Sequence, residues 1–210
     1  MVVTAGPTRE HVDPVRYLTN ESSGQMGFEI AAAAAAQGDR VVLVAGPVAL
    51  ETPPGVRRVD VVSARDMHAA VKDAFRAAEA LFMTAAVADW RPRRKLAGKW
   101  RKKDTGSDVA SLELVRNPDI LASVARRKGS RLVVGFALET GDGVQRAMRK
   151  LQRKGLDYIV LNDASALGAR RTTVDILGRD GSHRRLEDRT KKAVARVLVR
   201  LQHPRVARDH

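Results

Sequence analysis

Five short apolar stretches limit what this chain can become. They are Met1-Val2-Val3-Thr4-Ala5, Arg40-Val41-Val42-Leu43-Val44-Ala45, Ala80-Leu81-Phe82-Met83-Thr84-Ala85-Ala86, Leu132-Val133-Val134-Gly135-Phe136-Ala137 and Tyr158-Ile159-Val160-Leu161. They run apolar with little alternation, which suits strands covered on both faces in a parallel sheet. Parallel strands need crossover connections, and the segments between these stretches read as helices. The expected fold class is therefore α/β, a doubly wound, mostly parallel, Rossmann-like sheet. Val56 to Val61 alternates and reads as a further short strand. Thr172 to Leu177 and Ser182 to Leu186, joined by Arg179-Asp180-Gly181, predict a C-terminal β-hairpin over about residues 172–186.

The helices are read from caps and periodicity. Ser22 and Ser23 are N-cap residue types ahead of a helix through Glu29, Ile30 and the alanines Ala31 to Ala36, ending at Gln37-Gly38. Ser63 with Asp66 predicts a capped helix with Met67, Ala70, Val71, Ala74 and Phe75 on its apolar side. Asn117 as cap and Pro118 at the first position open another, with Ile120, Leu121, Val124 and Ala125 inward. Val144 to Lys154 and the basic Lys191 to Leu201 complete the set. Residues 1–202 are expected to form one domain and 203–210 a frayed tail.

A chain of 210 residues, 44% of them hydrophobic, can bury a substantial core. It has no cysteine, which excludes disulfides, thiolate metal sites and thiol nucleophiles. No apolar run is long enough for a membrane helix, and Met1 to Ala5 lacks the pattern of a signal peptide, so a cytoplasmic location is expected. Lys and Arg number 38 against 24 Asp and Glu, a formal net charge of +14, which attracts anions. That excess fits nucleic acid, nucleotides and phosphorylated small molecules alike.

The candidate site begins at Thr19-Asn20-Glu21-Ser22-Ser23-Gly24-Gln25-Met26-Gly27-Phe28. A glycine-rich loop feeding a helix N-terminus offers free amides and the positive end of a dipole, which suits phosphate. The long loop before it carries Arg9 and Arg16, guanidinium forks for phosphate or carboxylate. Ala86-Val87-Ala88-Asp89-Trp90 follows a strand, at the carboxyl end where open α/β sheets bind ligands. Arg91 to Lys103 is too basic for a core element and reads as a flap over phosphates, extending to about residue 106. Lys150 and Lys154 are four apart and share a helical face. The five histidines are scattered, and no side-chain cluster for a metal is expected.

In combination these motifs resemble phosphopantothenoylcysteine synthetase, the ligase domain of bacterial coenzyme A synthesis. The matching pieces are Thr4 to Glu10, Asp13 to Tyr17, Asn20 with Ser22-Ser23-Gly24 and Met26-Gly27-Phe28, Ala85 to Trp90, and Lys99 on the flap. Asn117 to Ile120, Gly135-Phe136-Ala137 with Glu139-Thr140, and Asn162-Asp163 complete them. The resemblance implies that the carboxylate of 4′-phosphopantothenate attacks the α-phosphate of CTP and releases pyrophosphate. The amine of L-cysteine then displaces CMP. It implies catalytic roles for Asn20 and Lys99. Nucleotide contacts fall on Gly6, Ser22, Ser23 and Gly24, on Met83, Thr84, Ala85, Ala86 and Asp89, and on Lys99. They continue at Asn117, Pro118, Asp119, Ile120, Phe136, Lys150 and Lys154. Arg16, Asn20 and Ala86 are the implied substrate-binding residues. Mg²⁺ is expected to travel with CTP, with Asp89 as its contact. The resemblance also implies a homodimer, with the hairpin of 172–186 or its sheet edge as the contact. Its relatives are often fused behind a flavin-dependent decarboxylase, a partner whose half is not in this chain, so no flavin is expected. No membrane or specific nucleic acid partner is expected.

The sequence departs from the family pattern at three places. Trp100 and Arg101 interrupt the usual lysine cluster, Trp90 stands where tyrosine is common, and Leu138 where alanine is usual. Two other classes fit parts of the pattern. One is an NAD(P)-binding oxidoreductase, although no Gly-x-Gly-x-x-Gly directly follows the first strand. The other is a basic nucleic-acid-binding module, although stacking aromatics do not interleave the basic surface.

Overall fold

The computed structural model describes residues 1–101, 108–139, 143–163 and 171–202. In chain order the elements are β1 (Val2–Ala5), β2 (Arg9–His11), β3 (Tyr17–Thr19), α1 (Gln25–Ala35), β4 (Val41–Ala45), β5 (Val56–Asp60) and α2 (Ala64–Ala74). There follow β6 (Ala80–Met83), β7 (Trp90–Pro92), β8 (Leu114–Arg116), α3 (Ile120–Ala125), β9 (Leu132–Glu139) and α4 (Gly143–Lys154). The chain closes with β10 (Tyr158–Asp163), β11 (Arg171–Gly178), β12 (His183–Thr190) and α5 (Lys191–Val199). The predicted tail, 203–210, lies outside the described residues.

The central sheet has eight strands in the order β12-β11-β10-β9-β6-β1-β4-β5. From β5 to β10 the pairings are all parallel, and β11 and β12 extend the sheet as the expected antiparallel hairpin. Successive strand residues point to opposite faces, and both faces are covered. Val2, Leu81, Val133 and Ile159 belong to the layer containing α2, α3 and α4. Val3, Phe82, Val134 and Val160 belong to the layer of α1 and α5. This is why those stretches are apolar throughout.

Chain order reverses between β1 and β6, which lie side by side although β4 and β5 intervene in sequence. A crevice opens at such a switch point, outside the carboxyl ends of the strands. α1 begins directly above it. A Cβ on Gly27 would stand 2.6 Å from the Ala5 Cβ and 2.7 Å from the Thr4 carbonyl oxygen. Only a glycine lets the helix approach the strand ends this closely.

Three local expectations are corrected. The N-cap of α1 is Gly24, at φ 76°, with no side-chain cap, so Ser22 and Ser23 do not cap the helix. Their hydroxyls instead accept from the Gly24 and Gln25 amides at 3.3 and 3.5 Å, within the loop itself. The cap of α3 is Asp119, not Asn117, and Pro118 precedes the helix. The long loop after β1 contains the β2–β3 ribbon.

Candidate active-site cleft

Two adjoining cavities occupy the switch-point crevice. The first, about 480 Å³, lies between the residues after β6 and the start of α3, with α4 behind. The second, about 560 Å³, lies between the Asn20–Gly27 loop, β9 and the start of α5. They share Ala85, Val87, Asp89, Phe136 and Lys150, so they form one bipartite cleft.

The segment from Thr84 to Asp89 is the common floor, and Thr4 and Thr8 hold it in place. The Thr84 hydroxyl donates to the Thr4 carbonyl, the Thr4 hydroxyl accepts from the Ala85 amide at 3.1 Å, and the Thr8 hydroxyl accepts from the Ala88 amide at 3.0 Å. Both threonines are fully buried, so these bonds are shielded from competing water. Gly6 supports the floor from below, its carbonyl accepting from the Ala86 amide at 2.9 Å. Asn20 ties the glycine-rich loop to the floor through Nδ2, which donates to the Val87 carbonyl at 3.2 Å.

The first cavity gathers Met83, Asp89, Asn117, Pro118, Asp119 and Ile120 around a predominantly polar mouth. Asn117 Nδ2 donates to the Ala88 carbonyl at 2.9 Å, while its Oδ1 accepts from Arg91 at 3.2 Å. Arg116 stacks over the ring of Trp90 at 5.4 Å. Asp119 accepts from the Ala122 amide at 3.0 Å and pairs with Lys154 at 2.9 Å. Burial works against ionisation of Asp119, but that amide, Lys154 and the nearby Lys150 hold its carboxyl below the usual range. Lys150 donates to the Phe136 carbonyl at 3.0 Å. The first cavity is thus lined by three cationic side chains, Arg116, Lys150 and Lys154, and two carboxylates, Asp89 and Asp119.

The second cavity collects Asn20, Ser22, Ser23, Gly24, Thr84 and Ala86. Thr172 and Lys191 also line it without a site role expected from the sequence, and Asn162 lines it from one of the family-matching pieces. Lys191 Nζ donates to Gln25 Oε1 at 3.1 Å, because α5 packs against α1. Burial pushes its ammonium down from the ordinary lysine value. A lysine at the start of a basic helix is the only sequence signal for it. Arg116, in the first cavity, was missed for the same reason: nothing local marks it.

Four residues expected at the site do not line the cleft. Gly6 acts from behind it. Arg16 is engaged elsewhere: Nε donates to Asp13 at 2.9 Å and a terminal nitrogen donates to the Trp100 carbonyl. Arg9 likewise lies over the Tyr17 ring, 4.7 Å from its centroid. Lys99 is exposed and lines neither cavity. The flap root is fixed, since the Leu96 amide donates to the Val12 carbonyl at 2.8 Å and the Trp100 amide to Asp13 at 3.1 Å. Residues 102–106 of the expected flap lie outside the described residues, as does Thr140.

An open parallel sheet in this order, with a polar cleft across its switch point, defines a Rossmann-like ligand-binding domain. The chain belongs to the DNA/pantothenate metabolism flavoprotein C-terminal domain family, whose model matches residues 1–203. The coenzyme A biosynthesis bifunctional protein CoaBC of Vibrio cholerae is 45% identical over 208 residues, 97% of this chain and 52% of that protein. The chain therefore spans about half the length of such relatives. A crystal structure of the C-terminal domain of CoaBC is 38% identical, with TM-score 0.84, and the match covers 99% of this chain and 95% of that one. A Cab2 mutant in complex with phosphopantothenate-cysteine shares the fold at 15% identity and TM-score 0.76, covering 98% of this chain and 87% of that one.

Proposed function

We propose that this domain is a phosphopantothenate–cysteine ligase of coenzyme A biosynthesis that uses CTP, works as a cytoplasmic homodimer, and needs no flavin. The observation that carries the reading is the bipartite cleft. Two cavities of nucleotide and cofactor-precursor size meet along one floor, so two substrates can react end to end.

In the first step a carboxylate oxygen of 4′-phosphopantothenate bonds to the α-phosphorus of CTP. The bond from that phosphorus to the bridging oxygen breaks, and pyrophosphate leaves with the electron pair. In the second step the cysteine amine bonds to the acyl carbon. The acyl–oxygen bond breaks, CMP leaves, and the amine gives up a proton. Neither step needs a covalent enzyme intermediate; both need charge neutralisation and alignment.

The residues are matched to those needs. Asn117 to Ile120 and Phe136 offer backbone groups and an aromatic face to the cytosine. Lys150 and Lys154 oppose the triphosphate. Met83 to Ala86 present strand-end backbone to the junction, where Ala86 and Asn20 meet the acyl group. The Asn20 amide can donate to one oxygen and accept from an amine. Lys99 has to swing from its exposed position to meet charge developing at the α-phosphate.

No group of three or more His, Cys, Asp or Glu side chains is placed to hold a metal among the described residues. Magnesium fits only as an ion carried by the triphosphate, with Asp89, the carboxylate common to both cavities, as its protein contact. It would supply charge neutralisation on the phosphates.

An NAD(P) oxidoreductase shares the strand order but places the phosphate-binding helix directly after β1, whereas the β2–β3 ribbon intervenes here. Omitting CTP, phosphopantothenate and cysteine in turn tests the ligase. Pyrophosphate release is expected only with CTP and phosphopantothenate together, more slowly with ATP. Equal rates with ATP overturn the cytosine assignment, and release without phosphopantothenate overturns the ligase.

A further inference from the structure

Asp13 lies in the turn between β2 and β3, and its two oxygens serve different partners. Oδ1 accepts from the Val15 and Arg16 amides at 2.7 Å each, which closes the turn. Oδ2 accepts from Arg16 Nε at 2.9 Å and from the Trp100 amide at 3.1 Å. Arg16 in turn donates to the Trp100 carbonyl. One carboxylate–guanidinium pair therefore grips both main-chain polar groups of Trp100. We propose that Asp13 is a positioning residue for the first chemical step, setting where Lys99, the residue before Trp100, stands relative to the cleft floor. The inference rests on the ligase reading and on the role given there to Lys99.

The turn itself needs only Oδ1. Oδ2 reaches a partner 87 residues away in sequence. The Asp13 side chain is fully buried, and a buried charge is a costly group to keep unless its contacts matter. A second stitch lies on the other side of Lys99, where the Leu96 amide donates to the Val12 carbonyl at 2.8 Å. Lys99 thus hangs between two points fixed on the same turn.

The other end of the ribbon is registered on the floor. The Thr8 amide donates to the Ala86 carbonyl at 3.3 Å, and the Thr8 hydroxyl accepts from the Ala88 amide at 3.0 Å. The Thr19 hydroxyl, at the end of β3, donates to the Thr8 carbonyl at 2.7 Å. With the pairing of β2 and β3, these bonds connect the floor at Ala86 and Ala88 to Asp13 and Trp100. Lys99 lines neither cavity, so its ammonium reaches the α-phosphate only by a swing. A fixed pivot makes that swing end in one place, and misplacement by about 1 Å can cost on the order of a hundred-fold in rate.

Asp13→Asn keeps the size and one acceptor oxygen but puts an amide nitrogen where a carboxylate oxygen now accepts. At saturating CTP and phosphopantothenate it is expected to slow pyrophosphate release roughly ten- to a hundred-fold, with CTP affinity by calorimetry unchanged. Hydrogen exchange should accelerate at the Trp100 amide while the amides of β1 and β6 keep their protection. A variant that is simply less stable would lose sheet protection and nucleotide affinity together. If Asp13→Asn does not fold, Arg16→Met takes its place with the same expectations, since it keeps the carboxylate and removes a half-exposed guanidinium. Unchanged pyrophosphate release overturns the proposal. So does slowed release with the Trp100 amide still protected, or with CTP affinity lost. If the unmodified protein releases no pyrophosphate from CTP and phosphopantothenate, the ligase reading fails instead.

Discussion

At the scale of single residues, Asp13 shows how a charge can be used away from the chemistry. Its side chain is fully buried and accepts from the Val15 and Arg16 amides at 2.7 Å each, from Arg16 Nε at 2.9 Å and from the Trp100 amide at 3.1 Å. One carboxylate thus joins the β2–β3 ribbon to the flap root beside Lys99. Burial opposes its ionisation, but these donors outweigh burial and hold the carboxyl far below the usual carboxylate range. The sign of the pH effect follows. A depressed folded-state pKa stabilises above the unfolded value, about 4, and that stabilisation is lost as pH falls through the folded value. Asp13→Asn never gains it. Urea melts should therefore show a stability gap between the two proteins at neutral pH that narrows below about pH 4. A gap that stays constant through the acid range contradicts this account of Asp13.

At the scale of elements, legibility in the sequence tracked how local the cause was. The parallel strands were readable because covering both faces demands apolar residues along their whole length. The capping box at Ser63 and Asp66 was readable because it is closed within one turn, the Asp66 amide donating to the Ser63 hydroxyl at 3.2 Å. The β2–β3 ribbon was not. Arg9-Glu10-His11 shows no apolar alternation, and Glu10 is buried because its carboxylate accepts from the Ala64 amide at 2.8 Å, a partner 54 residues away. The α1 cap failed for a related reason. Two serines look like caps, but the close seat of Gly27 on β1 turns the loop so that Gly24 enters the helix in a left-handed conformation. Within the cleft, residues just past strand ends were legible, since topology alone puts them at the switch point. Lys191 and Thr172 were not, because only the packing of α5 on α1 and the pairing of β11 with β10 bring them there.

At the scale of the molecule, the chain carries a formal net charge of +14, which under the proposed function favours capture of phosphorylated substrates over long range. No helix among the described residues is long and apolar enough to cross a membrane. The proposed homodimer is checked by light scattering at micromolar concentration, where a dimeric mass is expected and a monomer contradicts it. In the proposed reaction, two substrates meet across one floor to form an acyl nucleotide. Rapid-quench sampling with α-labelled CTP and phosphopantothenate, cysteine withheld, tests it most directly. A stoichiometric burst of labelled acyl-cytidylate with pyrophosphate is expected, chased to CMP by cysteine, retained in Asn20→Ala and abolished in Lys99→Gln. Release of CDP and orthophosphate, or a burst lacking any labelled acyl nucleotide, would contradict it.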